Sequence, residues 1–266
     1  MSDILWLTDC HLSATGPVLG HDSERACRDA VDWLSTHYAD AACCVVSGDL
    51  TEHGTEAEYR LLKSILDTLP MPWLPLVGNH DTRDALEAVL TLPDTARLPG
   101  FVQYRVDLDH AGSEQPPVTL LCLDTLVPGE GRGQLCDLRL DWLDHQLREC
   151  ADRAVLVFMH HPPNAVGVAP FDAIGLDNAS ALSMVLAGHA CVKHLCAGHV
   201  HRLFSGDVSG IPFTTQRSVL LQAPAARPAW DWDSFAPAAE PAGFGVISVG
   251  ASGVCIHHNQ FPAAAR

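Results

Sequence analysis

The sequence predicts one α/β domain with parallel β-α-β units first and an antiparallel set last. Three observations predict it. Short apolar runs alternate with amphipathic helical patterns as far as about residue 200, the spacing of a parallel sheet with helical crossovers. Beyond residue 203 the pattern changes to strands separated by Gly and Pro. The composition is globular: 266 residues, 47% hydrophobic and 18% charged, with no repeat or low-complexity tract, enough to bury a sizeable core.

The elements follow in order. "DILWL" (3–7) reads as a first strand. In "SERACRDAVDWLSTHY" (23–38), Cys27, Ala30, Val31, Leu34 and Tyr38 fall on one helical face. "ACCVVS" (42–47) is a β-branched second strand. "TEAEYRLLKSILDTL" (55–69) opens on Thr55 with Glu58 three residues later, a capping-box helix start. "WLPLV" (73–77) is the third strand, and "DTRDALEAVL" (81–90) a helix that Asp81 is placed to cap. After a looser stretch, "VTLLCLD" (118–124) is a strand, 135–150 a helix, "AVLVFM" (154–159) a strand and 179–187 a helix leading to "KHLCAG" (193–198). "TTQRSVLLQ", "FGVISVG" and "GVCIHH" are the late strands. The Pro- and Ala-rich segment 223–243 reads as a loop within the domain, because strands continue after it.

Composition also bounds the partners. With 32 acidic and 16 basic residues the formal net charge is −16, which repels polyanions. No nucleic-acid polymer and no acidic membrane is therefore expected as a partner. The start of the chain has no cationic segment ahead of an apolar one, and no apolar run approaches a bilayer-spanning length. Ten scattered cysteines without a C-x-x-C pair suit buried thiols in a reducing compartment, so a cytoplasmic protein is expected.

Polar residues collect at one repeated place, the carboxyl ends of the strands. These ends carry "TDCH" (Asp9, His11), "SGD" (Asp49), "GNHD" (Asn79, His80, Asp81), "MHH" (His160, His161) and "GHVH" (His199, His201). Ligand sites of open α/β sheets form at such ends. Taken singly, each has an ordinary structural reading, as a turn cap, a surface imidazole or a core histidine; five together do not. Asp9, His11, Asp49, Asn79, His160, His199 and His201 supply two carboxylates, one amide oxygen and four imidazoles. A tetrahedral ion needs about four donors, so seven suit a pair of ions if one carboxylate bridges. Mixed N and O donors without thiolate favour Zn, Mn or Fe. Two divalent ions against two carboxylates leave a local positive charge, as an anionic substrate requires in so acidic a chain.

These motifs, in this order and with this wide spacing, resemble the calcineurin-like metallophosphoesterases over about residues 3–205. "MHHPP" and "DAIGLDN" are most similar to the branch containing class III cyclic nucleotide phosphodiesterases and glycerophosphodiesterases. The resemblance implies a four-layer α/β/β/α sandwich of two mixed sheets flanked by helices, one domain over 1–266, with 206–266 completing the second sheet and the pocket rim. It implies that Asp9, His11, Asp49 and His201 hold one metal, and Asp49, Asn79, His160 and His199 the other, with Asp49 bridging. His80 would contact phosphate and assist the leaving group, with Asn79 beside it.

The expected activity is hydrolysis of a small phosphodiester by metal-activated water. A 3′,5′-cyclic nucleotide of the cyclic AMP kind is the first expectation. A glycerophosphodiester, or a broad range of phosphodiesters and monoesters, is the alternative. A non-catalytic scaffold and a phosphoprotein phosphatase fit less well, the first because the constellation is complete. The branch suggests a homo-oligomer. His21, His53 and His161 match no ligand position, Cys10 reads as an inert thiol, and Phe171, in a loop expected to border the pocket, is placed either to stack on a base or to fill core.

Overall fold

A computed structural model of the chain describes residues 3–108 and 117–262. Two mixed sheets form its centre, with six α-helices among the described residues. In the first, β1 (Ile4–Leu7), β2 (Cys43–Ser47) and β3 (Trp73–Leu76) run parallel as neighbours. The hairpin of β10 (Gly243–Gly250) and β11 (Gly253–Gln260) adds antiparallel to β1, in the order β11-β10-β1-β2-β3. The second holds β4 (Tyr104–Leu108), β5 (Val118–Cys122), β6 (Ala154–Met159), β7 (Val192–Ala197), β8 (Ser205–Val208) and β9 (Ile211–Thr215), in the order β4-β5-β6-β7-β9-β8.

The side chains show why two sheets stack with helices outside. Successive strand residues point to opposite faces. Along β5 and β6, Val118, Leu120, Cys122, Ala154, Leu156 and Phe158 enter a core shared with β1, β2, α1 (Ser23–His37) and α2 (Glu56–Leu66). The alternate residues Leu121, Val155, Val157 and Met159 enter a second core under α4 (Asp137–Glu149) and α6 (Ala179–Leu186). Between the sheets Trp6 meets Phe158 edge-on at 6.1 Å, and its indole Nε1 donates to the Ser47 hydroxyl at 2.8 Å. The α/β/β/α layering follows from this alternation.

Helix starts bear out part of the local reading. Thr55 and Glu58 form the reciprocal capping box at the head of α2. Asp81, however, does not cap α3 (Arg83–Val89), whose N-cap Thr82 makes no side-chain cap bond. Its carboxylate turns inward and accepts five hydrogen bonds, from Leu50 N, Gly78 N, Thr51 N, the Thr51 hydroxyl and the Tyr59 hydroxyl, at 2.9–3.2 Å. Five buried donors outcompete one helix end.

Other expectations change in the late chain. The segment 206–266 divides between the sheets: β8 and β9 extend the second, while the β10–β11 hairpin covers the edge that β1 would otherwise expose. "TTQRSVLLQ" is strand only as far as Thr215. After it the Ser218 hydroxyl accepts from Leu220 N and Leu221 N and donates to the Asp9 carbonyl, a local turn that displaces a ladder. β4 lies in the stretch that carried no strand signal.

Candidate metal centre

The parallel register brings the ends of β1, β2 and β3 level, since Leu7 pairs with Val46 and Ser47 with Leu76. Beyond them the chains stay zipped: Asp9 N donates to Gly48 O and His11 N to Asp49 O, at 3.0 and 2.9 Å. The second sheet docks its own strand ends here. Gly198 N donates to His160 O at 2.9 Å, and His199 N to both Asp9 carboxylate oxygens at 3.1 Å.

Local backbone is bent to aim the side chains. Asp9, His11, Asp49, His199 and His201 all have positive φ, between 44° and 72°. Five non-glycine residues in a conformation that costs roughly 1 kcal/mol or more apiece mark a place where aim outranks ease. Two glycines make room. A Cβ on Gly48 (φ 96°) would stand 2.4 Å from His160 Nδ1, and one on Gly78 2.2 Å from Asp49 Oδ1.

All seven expected ligands converge. His11, Asp49, Asn79, His199 and His201 line one cleft of about 220 Å³, with His80 at its side. Asp9 and His160 lie fully buried behind them. Donor atoms of Asp9, His11 and His201 fall within 4.8 Å of one another, as do those of Asp49, His160 and His199. Asp49 Oδ2 lies between the groups, 3.6 Å from His11 Nε2 and 3.3 Å from His160 Nε2. Asn79 Oδ1 sits 3.0 Å from His199 Nδ1.

The hydrogen bonds fix which nitrogens remain available. His160 Nδ1 donates to Ser47 O at 2.9 Å, and His201 Nδ1 to Leu221 O at 2.9 Å, so each turns its Nε2 lone pair inward. His11 Nδ1 meets the Glu52 carboxylate at 2.7 Å, which leaves its Nε2 facing His201 Nε2 at 3.1 Å. The buried Nε2 atoms of His160 and His199 have no hydrogen-bond partner. Inward lone pairs with nothing to bind, beside two buried carboxylates, fit cations held among them.

Electrostatics agree with that fit for the two carboxylates and His199. Burial opposes charge on His160, but Asp49 outweighs it and raises the ring to about 9, so a cation there would displace its proton. Burial opposes ionisation of Asp49, but His160, His80 and His11 outweigh it and hold the carboxyl well below the usual range. Burial likewise opposes charge on Asp9 until His201 draws its pKa down. Burial and the neighbouring imidazoles of His161 and His160 keep His199 neutral. A neutral imidazole and two ionised carboxylates are the forms that ligate.

The remaining polar residues sort by their contacts. His161 joins none of the metal-compatible groups among the described residues. Burial and His160 push it down to about 3; its Nε2 donates to Gly131 O and its Nδ1 accepts from the Thr125 hydroxyl, a neutral structural imidazole. Contact with Cys27 and burial hold the Cys10 thiol protonated, in keeping with an inert group. Glu52 is the residue the sequence did not mark. It touches His11 directly and lies 3.7 Å from His80, whose Nδ1 also bonds the Glu52 carbonyl at 3.0 Å. A lone glutamate on a loop carries no signal until the fold sets it between two histidines.

Fold and donors together define a metallophosphoesterase architecture. The chain belongs to the calcineurin-like phosphoesterase family, whose sequence model matches residues 2–203. It is 36% identical over 263 residues to a probable cyclic nucleotide phosphodiesterase of Rhodopseudomonas palustris, covering 96% of this chain and 91% of that protein. It is 31% identical over 182 residues to a glycerophosphodiester phosphodiesterase of Enterobacter lignolyticus, covering 68% and 63% of the two chains. Among solved structures a dimetal phosphatase from Danio rerio superposes with a TM-score of 0.69 over 98% of this chain and 99% of that one, at 17% identity. No helix of the described residues is long and apolar enough to cross a membrane.

Proposed function

We propose that this chain is a binuclear metal-dependent phosphodiesterase acting on a small phosphodiester, a 3′,5′-cyclic nucleotide of the cyclic AMP kind. Asp9, His11, Asp49 and His201 would hold one ion, and Asp49, Asn79, His160 and His199 the other, with Fe, Mn and Zn the candidates by donor type. The observation that carries the reading is Asp49 Oδ2 standing within 3.6 Å of imidazole nitrogens from both groups, the position of a shared ligand. Bound there, two such ions supply Lewis acidity toward phosphoryl oxygens and acidify water.

The chain's own residues do the rest. The Asp49 carboxylate accepts from His80 N at 2.9 Å, which fixes the loop that carries both Asn79 and His80. His80 Nδ1 is engaged by the Glu52 carbonyl, so Nε2 is the nitrogen left for the cleft. Burial opposes its charge, but Asp49 and Glu52 outweigh burial and raise its pKa above the ordinary value. Nε2, facing the cleft while Nδ1 is held by the Glu52 carbonyl, would be the atom that gives a proton to the departing alkoxide oxygen, a contribution of roughly 10²–10⁴-fold. Asn79 and His80 together would orient the phosphate.

The 36%-identical relative, which spans nearly the whole chain, supports the cyclic nucleotide. The 31%-identical relative keeps glycerophosphodiesters as the second reading. The deciding experiment loads the protein with Fe, Mn or Zn. It measures metal content beside turnover of cyclic AMP, glycerophosphocholine and a phosphomonoester. Two ions per chain with preferred cleavage of cyclic AMP is the expected result. One ion or none, or preference for either other ester, overturns the corresponding part. His80→Ala should lower kcat on an unactivated diester by about 10²-fold or more at unchanged metal content. Its effect on bis(p-nitrophenyl) phosphate, whose leaving group needs no proton, should be small.

A further inference from the structure

Segment 223–243, which begins as a featureless Pro- and Ala-rich loop, folds back over the cleft. Its ends are fastened beside a ligand. Arg202, next to His201, donates to Ala223 O at 2.5 Å and pairs with Glu240 at 2.9 Å, and Arg217 pairs with the same carboxylate at 2.8 Å. Ala238 N donates to Gln222 O at 2.9 Å, closing the base of the loop. At its tip Asp231 and Ser234 cap one another around the single 3-10 turn Trp232–Ser234. The tip is thus preorganised.

What that tip carries is aromatic. Trp230, Trp232 and Phe235 pack edge-on or tilted against one another and against Phe171, at centroid distances of 5.4–5.9 Å. Phe171, read from the sequence as either a stacking or a core residue, is 6% exposed and packs edge-to-face with His199 at 5.7 Å; it is the buttress. Trp232 is 49% exposed and lines the cleft that holds the metal-compatible side chains. An indole half in water, held firmly by other rings, is a surface kept for something to cover.

The same cleft carries a second anomaly. Val18 and His21 bond each other's backbone in both directions at 2.9 Å, so Leu19 and Gly20 form a two-residue reversal with φ of 47° and 83°. Such a turn favours Asn or Gly at its first central position. Here it holds a leucine that is 62% exposed and lines the cleft. A strained backbone holding an apolar side chain in water makes sense if that side chain meets a ligand. Among the described residues no lysine or arginine lines this cleft, so an anionic organic group would meet no cation there, while the exposed indole offers its face to a flat ring.

We propose that Trp232, with Leu19 as a second apolar side chain of the same cleft, forms a nucleobase subsite that selects phosphodiesters bearing a neutral heteroaromatic ring. This rests on the phosphodiesterase reading and names what the same site recognises. Trp232 and Leu19 contribute to specificity and leave the chemistry to the residues behind them. Stacking of a base on an aromatic side chain is strong enough that Trp232→Ala should lower kcat/KM for cyclic AMP on the order of ten- to a hundredfold.

Two measurements separate this from the catalytic reading. In the first, metal-loaded protein is given cyclic AMP, the base-free ribose 3′,5′-cyclic phosphate and glycerophosphocholine. The wild type should favour cyclic AMP over its base-free analogue. Trp232→Ala should erase most of that ratio by slowing cyclic AMP alone, and Trp232→Phe should restore much of it. Leu19→Asn should also narrow the ratio while leaving the melting temperature unchanged or higher, because Asn suits the turn. Equal losses on both cyclic phosphates, or a Trp232-dependent preference for the choline ester, overturn the subsite. In the second, adenosine is titrated into protein without added metal, with tryptophan emission as the readout. A saturable quench that vanishes in Trp232→Ala is expected. No quench, or one that persists in the variant, overturns the subsite even if cyclic AMP is cleaved. Loaded wild type that cleaves neither cyclic phosphate but binds adenosine through Trp232 overturns only the catalytic reading.

Discussion

Glu52 and Asp81 are two carboxylates with opposite tasks, and their neighbours distinguish them. Glu52 sits on His11 Nδ1 at 2.7 Å and near His80, so it orients the His11 ring from behind without needing to touch an ion itself. A partner of this kind is worth on the order of ten- to a hundredfold in metal affinity or activity. Glu52→Gln should therefore weaken metal binding, measured by competition with a chelator, while thermal stability at saturating metal stays close to wild type. Asp81 is fully enclosed and satisfies five donors from Leu50, Thr51, Tyr59 and Gly78. Asp81→Ala strands those donors, and chemical denaturation should show a loss of about 3 kcal/mol or more. The chemistry of either carboxylate is plain from its residue type. The task is set by what surrounds it.

At the scale of elements, every turn that carries a proposed ligand leaves a strand at its carboxyl end, and the bends are tight enough to need special residues. Gly78 lies two residues past the end of β3, and the space beside its Cα is filled by Asp49 and His160. Gly78→Ala should therefore reduce metal occupancy and activity steeply even where the protein still folds, read as metal content against circular dichroism. The head of α2 offers a contrast. Its capping box lies just past Glu52, and Thr55→Ala should cost about 1 kcal/mol of stability with little effect on kcat. Both devices are visible in the sequence, one as a glycine before a polar triplet and the other as Thr with Glu three residues on. The placing of Trp232 over the cleft is not, because the base of its loop is fastened by Glu240 to Arg202 and Arg217.

For the whole molecule, titration and metal binding act on the balance between folded and unfolded chain. His194 on β7 is half-buried and bonded to the Thr214 hydroxyl, with His258 nearby, and desolvation followed by that second imidazole lowers it to about 4. The folded state thus favours the neutral ring. Its contribution is complete above the ordinary histidine pKa, 6.5, and is lost as pH falls toward about 4. The urea midpoint of the wild type should fall more steeply between pH 7 and pH 4 than that of His194→Gln, compared without metal in both. Adding metal at about a hundred times its dissociation constant should raise stability by about 2.7 kcal/mol per site.

Much of this was legible along the chain because periodicity and polar punctuation are local. The strands 3–7, 42–47 and 154–159, the helix faces, and the seven donors Asp9, His11, Asp49, Asn79, His160, His199 and His201 could all be read from neighbours in sequence. Residues distant in sequence act together only once folding closes the space between them. The division of 206–266 between two sheets, the inward turn of Asp81, the placing of Glu52 between two histidines and the aromatic wall over the cleft were decided there. Each depends on partners more than twenty residues away along the chain, and a sequence window contains neither member's reason for the other.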